Sequence, residues 1–366
     1  MKTHRLFLHG LGNVGRRFVR LLLERGDLLE ERHGIRLLLI GAADSSGAAL
    51  CPDGLDLRAL LTLKEKEQGI AELPIFGVAN QTGQCLLKHA EADLVLEATP
   101  TNLWNGEPGL GFVTEALRKG LHAVVASKGP LVVAFPELAA LSDWGNTSLP
   151  SMRFSGAVGG CLPVVNLGRR DLAGCRIQRV EGVLNLSTGI YLARMEEGLA
   201  LDAAIAEAQR AGLAEADPSL DVDGWDLAAK LCILAQAVLG QPTRLDGIAR
   251  RGLRDLAPNE AATARQRGER ILMIARATAG GDDDSFRLSV GPETIGPEHP
   301  FYALQIGASG FLCETDIQGR QVILNADQGP MGTAAAMLRD TLEICERRQY
   351  AVASTDQIVH NEGFSK

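Results

Sequence analysis

Asp226 and Lys230 stand four residues apart in a stretch with helical spacing, so both fall on one face of a helix. An ammonium group held beside a carboxylate can give a proton to, or take one from, an alcohol or aldehyde oxygen. Four more acids, Glu215, Asp217, Asp221 and Asp223, come just before that helix. Such carboxylates could hold the ammonium of an amino-acid substrate. The plain alternative is an exposed ion pair beside a solvated acidic loop. The helix carries little other charge, and Leu227, Leu231, Leu234 and Val238 form a separate apolar face, which favours chemistry over surface decoration. A second lysine, Lys128, ends an apolar strand beside Gly129-Pro130, where it would project toward a ligand cleft. Otherwise it is a loop lysine at the surface. Desolvation or a neighbouring cation could bring either ammonium into the range of an acid–base catalyst.

A separate constellation lies at the N-terminus. Gly10-Leu11-Gly12-Asn13-Val14-Gly15 matches G-x-G-x-x-G, follows a strand-like run and opens a helix-like one. The first glycine permits a tight turn, the second lets a pyrophosphate approach the backbone, and the third packs helix on strand. The helix start offers unpaired N–H groups and the positive end of the helix dipole to phosphates. Asp44 ends the next strand, where an acid would bind the adenosine ribose hydroxyls. It could equally be the first residue of a simple Asp-Ser-Ser turn. Ser45 and Ser46 follow it, not Arg or Lys, which leans toward NAD and leaves NADP open.

The elements that must position these residues alternate. Strands are predicted at Arg5–His9, Arg36–Gly41, Asp93–Ala98 and His122–Ala126, with helices at Arg16–Arg25 and Gly111–Lys119. That order implies a parallel sheet covered on both faces, a Rossmann-type domain over residues 1–150. Residues 151–328 read as an α+β domain for substrate binding and dimerisation. Its strands are Arg179–Asn185, Phe311–Asp316 and Gln321–Asn325, its helices Asp202–Ala211 and Asp226–Leu239, and Gly280–Ser285 is a polar turn. A last amphipathic helix, Gly332–Arg347, within 329–366, would return to the first domain. The fold class is α/β.

Composition narrows the function. A net charge of −8 gives no general reason to bind nucleic acid or an anionic membrane. No apolar run approaches the roughly 18–20 residues of a membrane helix, and no signal-peptide cleavage site is expected after Arg5. Seven widely spaced cysteines without a CxxC pair fit a reducing cytoplasm, not a disulfide framework or zinc site. Aromatic content of 4% makes base-stacking platforms improbable.

Taken together, these residues resemble the homoserine dehydrogenase family, in its short form without a C-terminal regulatory domain. The most specific stretch is the 208–230 segment AQRAGLAEADPSLDVDGWDLAAK, close to the family's A-E-A-D-P-x-x-D-V-x-G-x-D-x-x-x-K signature. The stretches 97–102 (EATPTN), 106–109 (GEPG) and 127–131 (SKGPL) are similar too, in the right order. The resemblance implies reversible NAD(P)-dependent interconversion of L-homoserine and L-aspartate 4-semialdehyde, on the route to threonine and methionine, by a cytoplasmic homodimer. It implies that Glu215, Asp221, Asp226 and Thr188 bind substrate. Lys230 is favoured as acid–base catalyst, with Lys128 between cofactor and substrate; the sequence does not decide which lysine moves the proton. Thr99 joins the glycine loop, Asp44 and Lys128 at the cofactor, and Gly329 and Thr333 match the returning segment that touches it.

The departures cluster near the substrate. Where the family has N-G-T-T-N-Y-like residues, residues 185–191 read NLSTGIY, so Leu186 replaces a glycine and Gly189 an asparagine. Ser127 stands where an asparagine is common. Ser155 falls where the family has a glutamate ligand for a monovalent cation, so any Na+ would rely on backbone carbonyls of Val158, Gly160 and Leu162. These changes motivate an alternative, a related oxidoreductase acting on another small amino or hydroxy alcohol or aldehyde. A third reading is a cofactor-binding protein without catalysis.

Overall fold

β1 (Lys2–His9) carries Leu6, Phe7 and Leu8 fully buried in succession, the mark of a strand covered on both faces. The computed structural model describes residues 1–215, 217–280, 285–326 and 331–361, from 347 onward as backbone alone. They form two units, Met1–Ala157 with the segment from Met331, and Val158–Pro330.

In the first unit β1 is followed by α1 (Asn13–His33), which buries Phe18, Val19 and Leu22 against the sheet. Each such side chain contributes about 1.5–3 kcal/mol. Gly34, at φ 63°, ends the helix in the left-handed conformation. Then come β2 (Ile35–Asp44), β3 (Gly47–Leu50), α2 (Leu57–Glu65), β4 (Gly77–Ala79), β5 (Leu94–Glu97), α3 (Gly109–Arg118), β6 (His122–Val125), α4 (Gly129–Ala140, broken at Ala134 before Pro136) and β7 (Met152–Arg153). The sheet order is β4-β3-β2-β1-β5-β6-β7. The strands from β2 to β7 pair in parallel. β3 and β4 add an antiparallel edge, so the sheet is mixed at one side where a wholly parallel one was expected. The turn at Asp44–Gly47 is too short for a crossover and can only make a hairpin.

β8 (Ile177–Val183) opens the sheet of the second unit. It is followed by α5 (Leu186–Glu196), α6 (Leu201–Arg210), α7 (Ser219–Val222), α8 (Trp225–Ala237), β9 (Ala249–Arg250), α9 (Glu260–Gln266), β10 (Arg270–Ala279), β11 (Phe286–Ile295), β12 (Ser309–Thr315) and β13 (Gly319–Asn325). The order is β13-β12-β8-β10-β11-β9. The ten-residue pair β10 and β11 has no counterpart in the expected elements. β10 is buried along most of its length, so it shows no alternation. β11 holds Gly291 and Pro292, which read as breakers; Pro292 lies beyond the short β9, where β11 is an edge. The central part of the Gly280–Ser285 turn lies outside the described residues.

Finally, α10 (Gly332–Asn361) belongs to the first unit. Arg153, almost fully buried, pairs with Asp143 at 3.0 Å and with Glu343 of α10 at 2.8 Å. The Ser155 N–H donates to Asp340 Oδ2 at 2.7 Å, and burial pushes that carboxyl up to about 6. The first division therefore falls after Ala157, not Pro150: Met152 and Arg153 still pair with Ala123 and Val124 of β6. Among the described residues no helix is long and apolar enough to cross a membrane.

Candidate active site

β1 and β5 are neighbours although the chain leaves β1 toward β2, so the sheet's topological switch point lies between their carboxyl ends. Ligands of open α/β sheets bind there. Gly10 sits at that point with φ +105°, and a Cβ on it would stand 2.3 Å from the Ala98 oxygen. A Cβ on Gly15 would stand 1.9 Å from the Gly10 oxygen. At Gly12 a Cβ would meet nothing within 4 Å. Two of the three glycines are thus needed for packing, and the third faces open space. Gly12 caps α1, and no side chain caps that first turn. The cradle fits a dinucleotide pyrophosphate. Leu11 is buried beneath the loop, Val14 packs on the core, and Asn13 Oδ1 accepts from Arg16 Nη2 at 2.8 Å.

Asp44 ends β2 as expected, but its oxygens are heavily used by the protein. Oδ1 accepts from the Ser46 N–H and hydroxyl at 2.8 and 2.6 Å. Oδ2 accepts from Lys64 Nζ at 2.8 Å and the Ile70 N–H at 3.0 Å. Burial pushes this carboxyl up, but the Lys64 and Ser46 donors outweigh it, and the net position is below the ordinary aspartate value. Lys64 was not foreseen, because nothing in α2 marks it as a partner of a residue twenty positions earlier.

Glu97 is the second unforeseen residue. It ends β5 with no exposed surface. Its Oε1 accepts from the Thr99 N–H at 2.7 Å and from the Thr99 hydroxyl, and its Oε2 from the Ser127 N–H and hydroxyl at 3.2 and 2.6 Å. Burial raises its carboxyl above the usual range against these four donors. Glu97 therefore ties the ends of β5 and β6 together and fixes the residue before Lys128. Lys128 starts α4, with its N–H 3.4 Å from Thr101 Oγ1. Thr333 of α10 lies against Gly156, its Cγ2 3.3 Å from where a Cβ would be. Gly329 lies outside the described residues.

In the second unit, α8 is buried almost all round, which makes its two charged residues conspicuous. Lys230 and Asp226 are each 14% exposed and pair at 2.7 Å. This is not the exposed ion pair of the plain alternative. Lys230 Nζ also donates to the Leu184 carbonyl at 2.6 Å, just past the end of β8. An ammonium has three donors, and these contacts account for two. Asn185, next in the chain, is the hub. Its Nδ2 donates to Asp221 Oδ1 at 2.7 Å and Asp226 Oδ2 at 2.9 Å, and its Oδ1 accepts from the Thr188 N–H at 3.0 Å as the cap of α5. Burial pushes the Asp221 carboxyl up, and the Asp226 charge pushes it the same way. The spacing Asn-x-x-Thr before a helical run was the available signal for a cap; that the amide would also bridge two acids was not legible.

Thr188 is buried by its own hydroxyl bond to the Asn185 carbonyl at 3.2 Å. Glu215 is exposed, and its charge acts on Tyr191. The Tyr191 phenol is buried and is raised by that burial and by Asp221, with Ser187 opposing the shift. Leu186 opens α5 with its Cδ1 2.7 Å from where a Cβ on Gly307 would stand, while Gly189 has only Gly307 N near at 3.8 Å. Val158, Gly160 and Leu162 lie in a tight loop closed by Leu162 N–H to Gly159 O at 3.0 Å. No cluster of three or more metal-binding side chains occurs among the described residues.

Residues 163–342 match the family model described as homoserine dehydrogenase. The chain is 32% identical over 344 residues to the homoserine dehydrogenase of Methanocaldococcus jannaschii, an overlap of 93% of this chain and 98% of that protein. The chain belongs to the homoserine dehydrogenase family. It is also 31% identical over 345 residues to the NAD(+)-dependent homoserine dehydrogenase of Pseudomonas canavaninivorans, across 94% and 97% of the two chains. A hyperthermophilic archaeal homoserine dehydrogenase solved in complex with NADPH shares the fold, with TM-score 0.80 at 23% identity over 94% of this chain and 98% of that one. The chain is an NAD(P)-dependent oxidoreductase of that family.

Proposed function

We propose that the chain interconverts L-homoserine and L-aspartate 4-semialdehyde with NAD(P), and that Lys230 is its acid–base residue. The observation that carries this reading is the fixed ammonium, held by Asp226 and the Leu184 carbonyl, which use two of its three donors among the described residues. The nicotinamide cofactor supplies the hydride acceptor or donor. As the aldehyde is reduced, negative charge develops on its oxygen, and Lys230 gives that oxygen a proton. In oxidation the alcohol proton returns to Nζ. Asp221 and Asp226 hold the substrate ammonium, with Glu215 at the exposed rim and Thr188 at the start of α5. Lys128 serves the cofactor and substrate oxygen, and Thr99 and Thr333 border the cofactor. Homoserine-dependent reduction of NAD or NADP by the purified chain tests the reading. Turnover is expected with homoserine above that with other amino alcohols; absence of turnover in both directions would refute it. The same assay in choline chloride in place of NaCl is expected to give the same rate, because Ser155 contributes no fixed charge beside Val158, Gly160 and Leu162.

We favour NAD as the working cofactor. Asp44 is ionised at neutral pH and would repel a 2′-phosphate, and its ion-pair partner, Lys64, is already neutralised by it. The NADH preference is expected to narrow by about tenfold in Asp44→Ala, where Lys64 is released toward the phosphate. A wild-type chain that prefers NADPH would overturn this.

The active form is a homodimer through the second unit. Val322 and Leu324, 38% and 44% exposed on one side of β13, support a contact on that strand. Light scattering is expected to give twice the chain mass, and a monomer at micromolar concentration would exclude it. The cytoplasm is the compartment, in keeping with seven free cysteines; cell fractionation reads this directly.

A further inference from the structure

The bend between Asp221 and Asp226 is gripped by a residue outside the lysine–carboxylate group. Asp223 and Gly224 carry the chain from α7 into α8, and Gly224 turns it at φ 79°, in the left-handed conformation. As the N-cap of α8, Gly224 has no side chain with which to fix the first turn. Arg250 of β9 holds the bend instead. Its Nη1 donates to the Asp223 carbonyl, and its guanidinium carbon stands 3.7 Å from the centre of the Trp225 ring. One planar group thus touches the residues on both sides of Gly224. The bend also lies close against the sheet: a Cβ on Gly224 would meet Arg250 Cγ at 3.4 Å and Met273 Cε at 3.3 Å. Arg250 is itself fixed, paired in register with Val290 of β11, and the next N–H, of Arg251, donates to the Val290 carbonyl at 2.9 Å. Two residues on, a Cβ on Gly252 would stand 3.0 Å from Asp223 Cα. Arg254 Nε lies 3.5 Å from the Asp223 carboxylate, but that pair is exposed and contributes little.

We propose that Arg250 is a positioning residue for the substrate ammonium, setting the gap between Asp221 and Asp226 by its grip on the turn that joins them. Asp226 and Lys230 share the buried α8, so their pairing does not depend on the bend. Asp221 does depend on it, because it lies on the far side in α7, a helix of four residues that is too short to hold itself in place. Asn185 draws the two acids toward a common amide, and Arg250 fixes the chain between them. A guanidinium can do this where an ammonium cannot: its edge donates while its face stacks on the ring. The grip belongs to the fold alone; its consequence for the substrate ammonium rests on the homoserine dehydrogenase reading.

Arg250→Ala in the full chain is expected to raise KM for homoserine about tenfold, with kcat and the KM for the cofactor each within about threefold of the wild type. Arg250→Met keeps the stem against Gly224 and is expected to match the alanine variant. Arg250→Lys keeps the charge and is expected to stay at least about fivefold above the wild-type KM. Millimolar guanidinium chloride is expected to lower the KM of Arg250→Ala, and methylammonium chloride at the same concentration is not. Amide exchange reads the grip without turnover. The N–H groups of Val222, Asp223 and Gly224 donate to the carbonyls of Pro218, Ser219 and Asp221, and their exchange is expected to quicken at least about tenfold in Arg250→Ala while that of α6 stays the same. Unchanged exchange at these three amides would overturn the grip, whatever the substrate. Quickened exchange with KM unchanged, or a loss confined to kcat, would overturn the positioning role, and full recovery in Arg250→Lys would overturn the planar grip in favour of charge alone. A wild type inactive on homoserine would refute the reading beneath, and the exchange result would still decide the grip.

Discussion

Lys230→Ala is expected to lower kcat by about a thousandfold, the scale of a lost general acid–base group. The residue lies on a buried helix, so lost packing must be separated from lost chemistry. Lys230→Met keeps the length of the aliphatic stem and is expected to fold, yet to be as slow as the alanine variant. Cofactor binding, followed by nicotinamide fluorescence, is expected to stay within about twofold of the wild type, because the glycine cradle belongs to the other unit. Added methylamine is expected to restore part of the rate in Lys230→Ala by placing a small ammonium beside Asp226. Unchanged turnover in Lys230→Met would remove this residue from the chemistry and transfer the role to Lys128.

Asn185→Ala carries the second largest effect. Its amide is the shared donor between Asp221 and Asp226, so its removal takes a donor from two neighbouring, partly buried carboxylates and leaves their repulsion opposed by Lys230 and Ser187. We expect kcat/KM for homoserine to fall by about a hundredfold, the usual penalty for a misplaced reactant. Loss of the α5 cap should add about 1 kcal/mol of destabilisation. The pH profile distinguishes the two effects. Asp221 must be ionised to hold an ammonium, and its carboxyl is already raised by burial and by Asp226. Affinity for homoserine is therefore present at high pH and lost as pH falls through a value above the ordinary aspartate range. Asn185 donates to the ionised form and so lowers that value; its removal moves the inflection to higher pH. An inflection that stays in place while the chain merely melts earlier would show that Asn185 acts on folding alone.

Much of the first unit was legible because its signals are local. The run from β1 through Gly10, Gly12 and Gly15 to α1 is one uninterrupted string, and Gly10 and Gly15 each have a steric reason. The pairing of Asp226 with Lys230 was readable from the helical repeat alone. The degree of burial was not, because α8 is apolar on nearly every side and an isolated stretch does not show what covers it. β10 and β11 were missed for the opposite reason: one has no alternation and the other contains Gly291 and Pro292, so only the partner strand makes them strands. The antiparallel edge of β3 and β4 followed from short segments, Gly47–Leu50 and Gly77–Ala79, too brief to announce themselves.

The amino-acid sequence by itself determined which groups are present: a glycine-rich turn at the start of α1, an ammonium one turn from a carboxylate, and a family signature around them. These depend on neighbours in the chain, where covalent spacing sets the geometry. The tertiary structure alone decided which groups meet. Asn185 reaches Asp221 and Asp226 across 36 and 41 positions, and Ser127 reaches Glu97 across 30. Nor does the chain order reveal that Lys64 neutralises Asp44, or that Arg270 pairs with Glu196. Such partnerships come from packing of distant segments, and packing is settled by burial of the whole core rather than by any local pattern.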